Sequence, residues 1–477
     1  MGKVQAGFSK FINIALKFLF IPIVFISYKR MTDYFKEFNY FNLVLLIFFS
    51  ISGIIVYWTL KKQVNITKIL LGILVYSLII RIIWVTSINS VPASDYRVMY
   101  SGAQSVLNGE FYVFKGDCYF ARFPHLTMIV LYFSAIIKLF TYPLLALKVI
   151  NAMFSTGSVL LSYMIVKEVF SSPIKGIWAS FVAAVYPPII IYTAVYCGEN
   201  IAITFYLLSI YLFVQVAKGK KTLWFLILSA LSLFIGNLFR MVAEVMVIAY
   251  IMYILIYFRK SLREKLVSVT CIIGAFLIPL VIVSTLLKTA GVTEFNLWKG
   301  SESSWTSVLK GTNQESWGRY NEEDAGIVDR YNNDYKKIEE AAKEIVRERL
   351  TTTPLTNLMN FYYRKYAYQW REGDFGGTYW AKLGIEEKDM MVDLESKAAV
   401  YIQFVYFVLT LLTYIGLFNK KIYLRNPEIN LFYISYCGYA LLFLITESQD
   451  RYSFIASWLF IILPFAIFDG KKLFGKS

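Results

Sequence analysis

Apolar runs of roughly 18–22 residues recur along this 477-residue chain, each long enough to cross about 30 Å of hydrocarbon as a helix. Twelve runs qualify: 11–28, 40–60, 69–88, 147–167, 177–195, 200–217, 222–239, 241–258, 266–287, 397–418, 429–446 and 452–468. The chain is 57% hydrophobic, against about 45–50% for a soluble globular protein. The expected fold is therefore an all-α polytopic membrane bundle of about twelve transmembrane helices. The first run follows Lys3 and Lys10 without an Ala-x-Ala cleavage site, so it is expected to be retained.

Short Lys/Arg clusters set the expected sidedness, because positive loops stay inside. They are Lys61-Lys62, Lys167 with Lys175, Lys218 to Lys221, Arg259 to Lys265, Lys420-Lys421 with Arg425, and Lys471-Lys472. Both termini are then cytoplasmic in a multi-pass cell-membrane protein. Lys29 and Arg30 are the exception on the outer side. One further apolar stretch, 124–142, would reverse the side of every later cluster if it crossed. It is expected instead to re-enter or to lie along the outer surface, lining a protein-enclosed cavity.

The net charge of +16 raises the question of nucleic acid. Residues 288–396 hold 19 of the 32 acidic and 15 of the 48 basic residues, and the rest of the chain carries +20. That excess lies beside membrane runs, where topology demands it, so no nucleic-acid partner is expected. Four cysteines show no CxxC or zinc spacing, and a single histidine, His125, excludes a multi-histidine metal site. Neither a metal nor a cofactor is expected. The chain is expected to divide into a transmembrane module at 1–287, an extracytoplasmic α-helical loop region at 288–396 and C-terminal transmembrane helices at 397–477. Within the loop region, Tyr335 to Leu350 has the pattern of an amphipathic helix, with Glu339 and Lys343 paired at i,i+4. Residues 355–370 read as a helix suited to the outer leaflet.

Asp95 is the first acid after Glu37, across a long apolar stretch. A carboxylate where a membrane run opens into a polar loop suits a general base for a hydroxyl nucleophile. Glu199 closes the run containing Tyr186-Pro187-Pro188 and is the single acid between Val169 and Ala243. Arg240 lies at the outer turn between two runs, and Arg451 opens the last run in Glu447-Ser448-Gln449-Asp450-Arg451-Tyr452. Arginine presents a planar fork suited to phosphate. Each of these residues also has a plain structural explanation: a helix cap, an interfacial side chain, a surface ion pair, or for Arg240 a pairing with Glu244. Arg97, His125, Tyr452 and Glu447 are candidate substrate contacts on the same face. Cys118 and Cys197 share that face and are expected to be free thiols.

Several segments together resemble the GT-C fold integral-membrane glycosyltransferases, in the branch of protein O-mannosyltransferases and lipid A aminoarabinose transferases. The resemblance rests on Asp95 with Tyr100-Ser101-Gly102-Ala103 and Leu107-Asn108-Gly109, and on Phe123-Pro124-His125-Leu126. It also rests on Ala183 to Pro188 leading to Cys197-Gly198-Glu199-Asn200, on Gly236-Asn237-Leu238-Phe239-Arg240, and on Gln449-Asp450-Arg451-Tyr452. Where the family often has a second acid after the first, this chain has Tyr96. The resemblance implies a polyprenyl-phosphate-linked sugar donor, inversion at the anomeric carbon and surface helices between Asp95 and residue 142. The acceptor would be a cell-envelope glycan, a glycolipid or a protein. Asp95 and Glu199 would be catalytic, and Arg240 and Arg451 would bind donor phosphate. A lipid or polysaccharide transporter, or a non-catalytic scaffold, would draw on the same charges. Transporters usually place charges near the midplane of inverted repeats, whereas these gather at one face.

Overall fold

A computed structural model describes residues 2–467; residue 468 of the last run and the Lys471-Lys472 cluster lie outside the described residues. Among the described residues every regular element is helical, and the pairing Asn296–Lys299 is an isolated bridge. Seven of the twelve expected spans are single helices long and apolar enough to cross a membrane. They are Lys3–Phe35, Tyr40–Lys61, Ile66–Ser87, Pro143–Phe170, Glu199–Ala217, Leu262–Thr289 and Ala399–Gly416. Two are broken: Pro173–Val185 bends by 57° into Pro187–Ala194, and Asp450–Ala456 bends by 54° into Leu459–Ile467. The other three are apolar helices of 16, 14 and 17 residues at Trp224–Phe239, Glu244–Tyr257 and Ile429–Ile445. Those three fall short of the roughly 20 residues that a straight crossing needs. Hydropathy counts apolar residues on both sides of a break alike, so it joined pieces that the backbone separates. At 124–142 the chain turns by 112° between Phe111–Arg122 and Pro124–Leu139. Such a sharp corner marks either a broken span or a re-entrant segment.

The break at Tyr186 has a clear chemical cause. In a continuous helix the carbonyls of Ala183 and Ala184 would accept from residues 187 and 188, but both are proline and carry no N–H. Arg81, fully buried in Ile66–Ser87, supplies the missing donors: Nη2 to Ala183 O at 3.2 Å and Nη1 to Ala184 O at 3.1 Å. Its Nε donates to Ser155 Oγ at 2.8 Å, and Ser155 in turn donates to Ile189 O at 2.8 Å. Downstream, Trp84 donates to Ile191 O, Ser90 to Ala194 O, Asn151 to Val195 O and Asn200 to Tyr192 O. Side chains thus supply donors to carbonyls that the interrupted helical ladder leaves open between 183 and 195. Non-helical backbone in apolar surroundings survives only with such replacement. The segment then delivers Gly198 and Glu199 to the start of Glu199–Ala217.

Residues 288–396 contain a small core of their own, formed by Leu309, Ile327, Val328, Ile338, Ala342 and Val346. The expected amphipathic helix runs Tyr335–Thr352, with Ile338, Ala342 and Val346 on its buried face and Lys343 paired with Glu339. The next helix, Leu355–Gln369, points Lys365 inward, where Nζ donates to Gly311 O at 2.7 Å, Leu444 O at 2.8 Å and Thr446 O at 2.7 Å. These carbonyls include one from the last turn of Ile429–Ile445, which has no helical partner of its own. Lys365 therefore fastens the 288–396 region to the segment leading into Arg451. Burial pushes its pKa down to about 7.

Two outcomes follow. Arg81→Met leaves two buried carbonyls without donors, at about 1–3 kcal/mol each, so its melting temperature in detergent should fall well below wild type. Equal melting would show that the proline carbonyls need no guanidinium. The second concerns Lys365, whose pKa in the folded chain is about 7 and whose ordinary value is 10.5. Between those values the unfolded chain binds more protons, so stability rises with pH. Wild type should accordingly gain on Lys365→Met as pH is raised from 7 towards 10.5 in thermal melts. A pH-independent gap would mean that the three carbonyls keep the ammonium charged throughout.

Candidate functional site

Asp95 opens the helix Asp95–Leu107, directly after Ser94, whose φ of 51° turns the chain sharply. Its Oδ2 accepts from Arg451 Nη2 at 2.5 Å, and the Tyr119 hydroxyl faces the same carboxylate. Arg451 comes from the short helix Asp450–Ala456. Its guanidinium lies 4.3 Å from the Trp380 ring, 5.7 Å from Tyr96 and 5.4 Å from Tyr452, while Nε donates to Gln449 Oε1 at 2.8 Å. The aromatic enclosure leaves the Arg451 side chain 11% exposed, whereas Asp95 remains 31% exposed. The base candidate is thus open to an incoming hydroxyl while its cation is held in place.

A second pair lies beside the first. Glu199 is the first residue of Glu199–Ala217, where the positive end of the helix dipole favours a carboxylate. Arg240, just past Trp224–Phe239, places Nε 3.6 Å from Glu199 Oε1 and its guanidinium 5.2 Å from the Tyr452 ring. A Cβ on Gly198 would lie 2.5 Å from Phe239 O, so the glycine is what lets the two turns approach. Tyr206 donates to Arg240 O at 2.5 Å and steadies the turn. Arg240 Nε is buried and makes no hydrogen bond among the described residues. The 3.6 Å separation from Glu199 Oε1 is too long for a hydrogen bond, and a guanidinium held this loosely by its carboxylate suits an anion.

Glu447 completes the cluster. Its Oε1 accepts from Gln449 Nε2 at 2.7 Å, its Oε2 lies 2.6 Å from Lys310 Nζ, and the Tyr452 hydroxyl reaches it at 3.4 Å. Three carboxylates and three cations are therefore paired around one tyrosine: Asp95 with Arg451, Glu199 with Arg240, Glu447 with Lys310. His125 sits nearby, and burial, with the charge of Arg240, pushes its pKa down to about 4, leaving it neutral at pH 7.

Of the eight residues singled out in the sequence, Asp95, Glu199, Arg240, Glu447, Arg451 and Tyr452 come together, and His125 borders them. Arg97 points to the exposed side of its helix, and among the described residues no hydrogen bond or ion pair joins it to the cluster. Arg240 pairs with Glu199 and not with Glu244, which opens the next helix. Cys118 and Cys197 are free. Sequence reasoning missed Lys310, Trp380 and Tyr119. No spacing rule reaches them: Lys310 and Trp380 are brought in from the 288–396 region, and Tyr119 from the turn before the 112° corner.

Residues 125–286 match the family model described as dolichyl-phosphate-mannose-protein mannosyltransferase, a GT-C fold glycosyltransferase family. The match is to the class that the sequence motifs resemble, and it supports a membrane glycosyltransferase. It spans His125, Glu199 and Arg240, while Asp95, Lys310, Glu447, Arg451 and Tyr452 lie outside it. No curated protein matches the chain.

Gly198→Ala should force the Glu199 and Arg240 turns apart and cost about 1–3 kcal/mol of stability by overpacking. Thermal melts and turnover measured on the same preparation would check this. Wild-type values in both would mean that the close approach is dispensable.

Proposed function

We propose that this protein is an inverting glycosyltransferase that moves a sugar from a polyprenyl-phosphate donor to an acceptor hydroxyl at the extracytoplasmic face of the cell membrane. The observation that carries this reading is the Asp95–Arg451 contact, with the Asp95 side chain 31% exposed, beside a second arginine whose buried Nε is held from its carboxylate at 3.6 Å. The family match over 125–286 supports the donor class. The Lys/Arg clusters support cytoplasmic termini and an outward-facing site.

The acceptor oxygen attacks the anomeric carbon from the face opposite the phosphate. A C–O bond forms as the bond from that carbon to the phosphate oxygen breaks, which inverts the centre. The hydroxyl proton passes to Asp95, and the electron pair of the broken bond stays on the phosphate. One negative charge therefore leaves Asp95 as one appears on the polyprenyl phosphate. Arg451 already touches Asp95, so a phosphate on its other side would meet the same cation as the charge moves. Preorganised cations aimed at developing charge are the strongest general device for such a step. Arg240 would hold a second phosphate oxygen through its terminal N–H groups, while Nε faces Glu199, which keeps the guanidinium oriented and borders the acceptor. The 288–396 region would shape the acceptor side, where a cell-envelope glycan, glycolipid or protein would dock.

Asp95→Asn should lose about 10²–10⁴-fold in turnover of a polyprenyl-phosphate sugar, while the purified variant still binds the donor. Wild-type turnover in Asp95→Asn would refute the assignment of the base. Lipid flux in proteoliposomes without glycosyl transfer would favour a transporter.

A further inference from the structure

We propose, building on the donor assignment above, that Lys310 is a third cation of the donor-phosphate subsite and that Glu447 is its exchangeable counter-ion. Lys310 lies in the last turn of Trp305–Thr312, inside the 288–396 region, yet its ammonium is aimed at the segment that bears Arg451 and Tyr452. Its side chain is 12% exposed and that of Glu447 7%, so this is an enclosed pair and not a surface one. Burial works against the charge, but the Glu447 carboxylate outweighs it and raises the pKa of Lys310, so the ammonium stays protonated.

The position of Lys310 is rigid. A Cβ on the next residue, Gly311, would lie 2.5 Å from Ile445 O, so the two backbones are in contact. Lys365 bridges Gly311 O to Leu444 O and Thr446 O. Glu447 N donates to Ser307 O at 2.8 Å, and Ser448 N to Gly318 O at 2.8 Å. Glu447 also leads directly to Arg451: its second oxygen takes Gln449 Nε2, and Gln449 Oε1 takes Arg451 Nε. If a phosphate oxygen replaces Glu447 at Lys310, the carboxylate keeps its Gln449 partner and Arg451 keeps its orientation. Chemistry favours the exchange. The phosphate gains a second negative charge as it leaves, whereas the Glu447 carboxylate with which it competes for the ammonium carries one. An ammonium is a compact point charge well suited to that task.

The two halves of the pair allow a discriminating test. Purified full-length protein is titrated with a polyprenyl phosphate and with the matching polyprenol as a phosphate-free control. Lys310→Met should weaken phosphate binding about ten-fold or more, the scale of one charge-assisted hydrogen bond, and leave polyprenol binding unchanged. Glu447→Gln, which frees the ammonium, should bind the phosphate more tightly than wild type, and Lys310→Arg should retain most of the affinity. A purely structural ion pair predicts the same direction for both partners. Equal weakening in Lys310→Met and Glu447→Gln, or wild-type affinity in Lys310→Met, therefore overturns the proposal while leaving the glycosyltransferase reading intact. A wild-type protein that does not distinguish the phosphate from the polyprenol overturns both.

Discussion

Two proline residues in succession remove two amide donors from one membrane segment, and the guanidinium of Arg81 replaces them. Much of the site's geometry depends on this exchange. Without a donor to Ala183 O and Ala184 O, the bend at Tyr186 would leave two carbonyls unpaired in an apolar interior. With it, Pro173–Val185 and Pro187–Ala194 meet at 57° and the chain emerges beside Arg240. Arg81 is a buried cation neutralised by carbonyl dipoles and hydroxyls rather than by an acid. It shows that a charge inside a membrane bundle can serve architecture alone.

The site is built on the opposite principle. Each of its three cations is answered by a carboxylate, and all six side chains gather around Tyr452. Internal pairing keeps the cations charged and oriented in an enclosed place, where a lone charge would be costly. An arriving anion then competes with a carboxylate already in position. Asp95 differs from the other two acids in its exposure, which suits it to meet an acceptor. Trp380 and Lys310 tie the 288–396 region into the same cluster, so that region is part of the site's wall and not an appendage.

Much of the fold was legible from hydropathy, because long apolar runs have few alternatives to helix in a membrane. Seven runs are single helices of spanning length. Where the reading was coarse, at 177–195 and 452–468, continuous hydropathy concealed breaks set by proline and by irregular short helices. Cation parity asks only that 124–142 not cross; the 112° corner before it was not legible in the sequence. Asp95, Glu199, Arg240 and Arg451 stood out because charges are rare beside apolar runs. Lys310 was hidden for the converse reason: it lies in a region with 15 basic residues, where one lysine carries no signal.

The sequence alone determined that the chain is helical, that it crosses a membrane repeatedly, and which few charged residues stand at the ends of those crossings. These are local properties, set by the cost of exposing apolar side chains to water and peptide groups to hydrocarbon. Only the tertiary structure decided who pairs with whom: Asp95 with Arg451 across 356 positions, Glu447 with Lys310, Glu199 with Arg240 rather than Arg240 with Glu244. Ion pairing falls off within a few ångströms and is indifferent to sequence separation. It is therefore settled by how helices pack, which periodicity and composition do not encode.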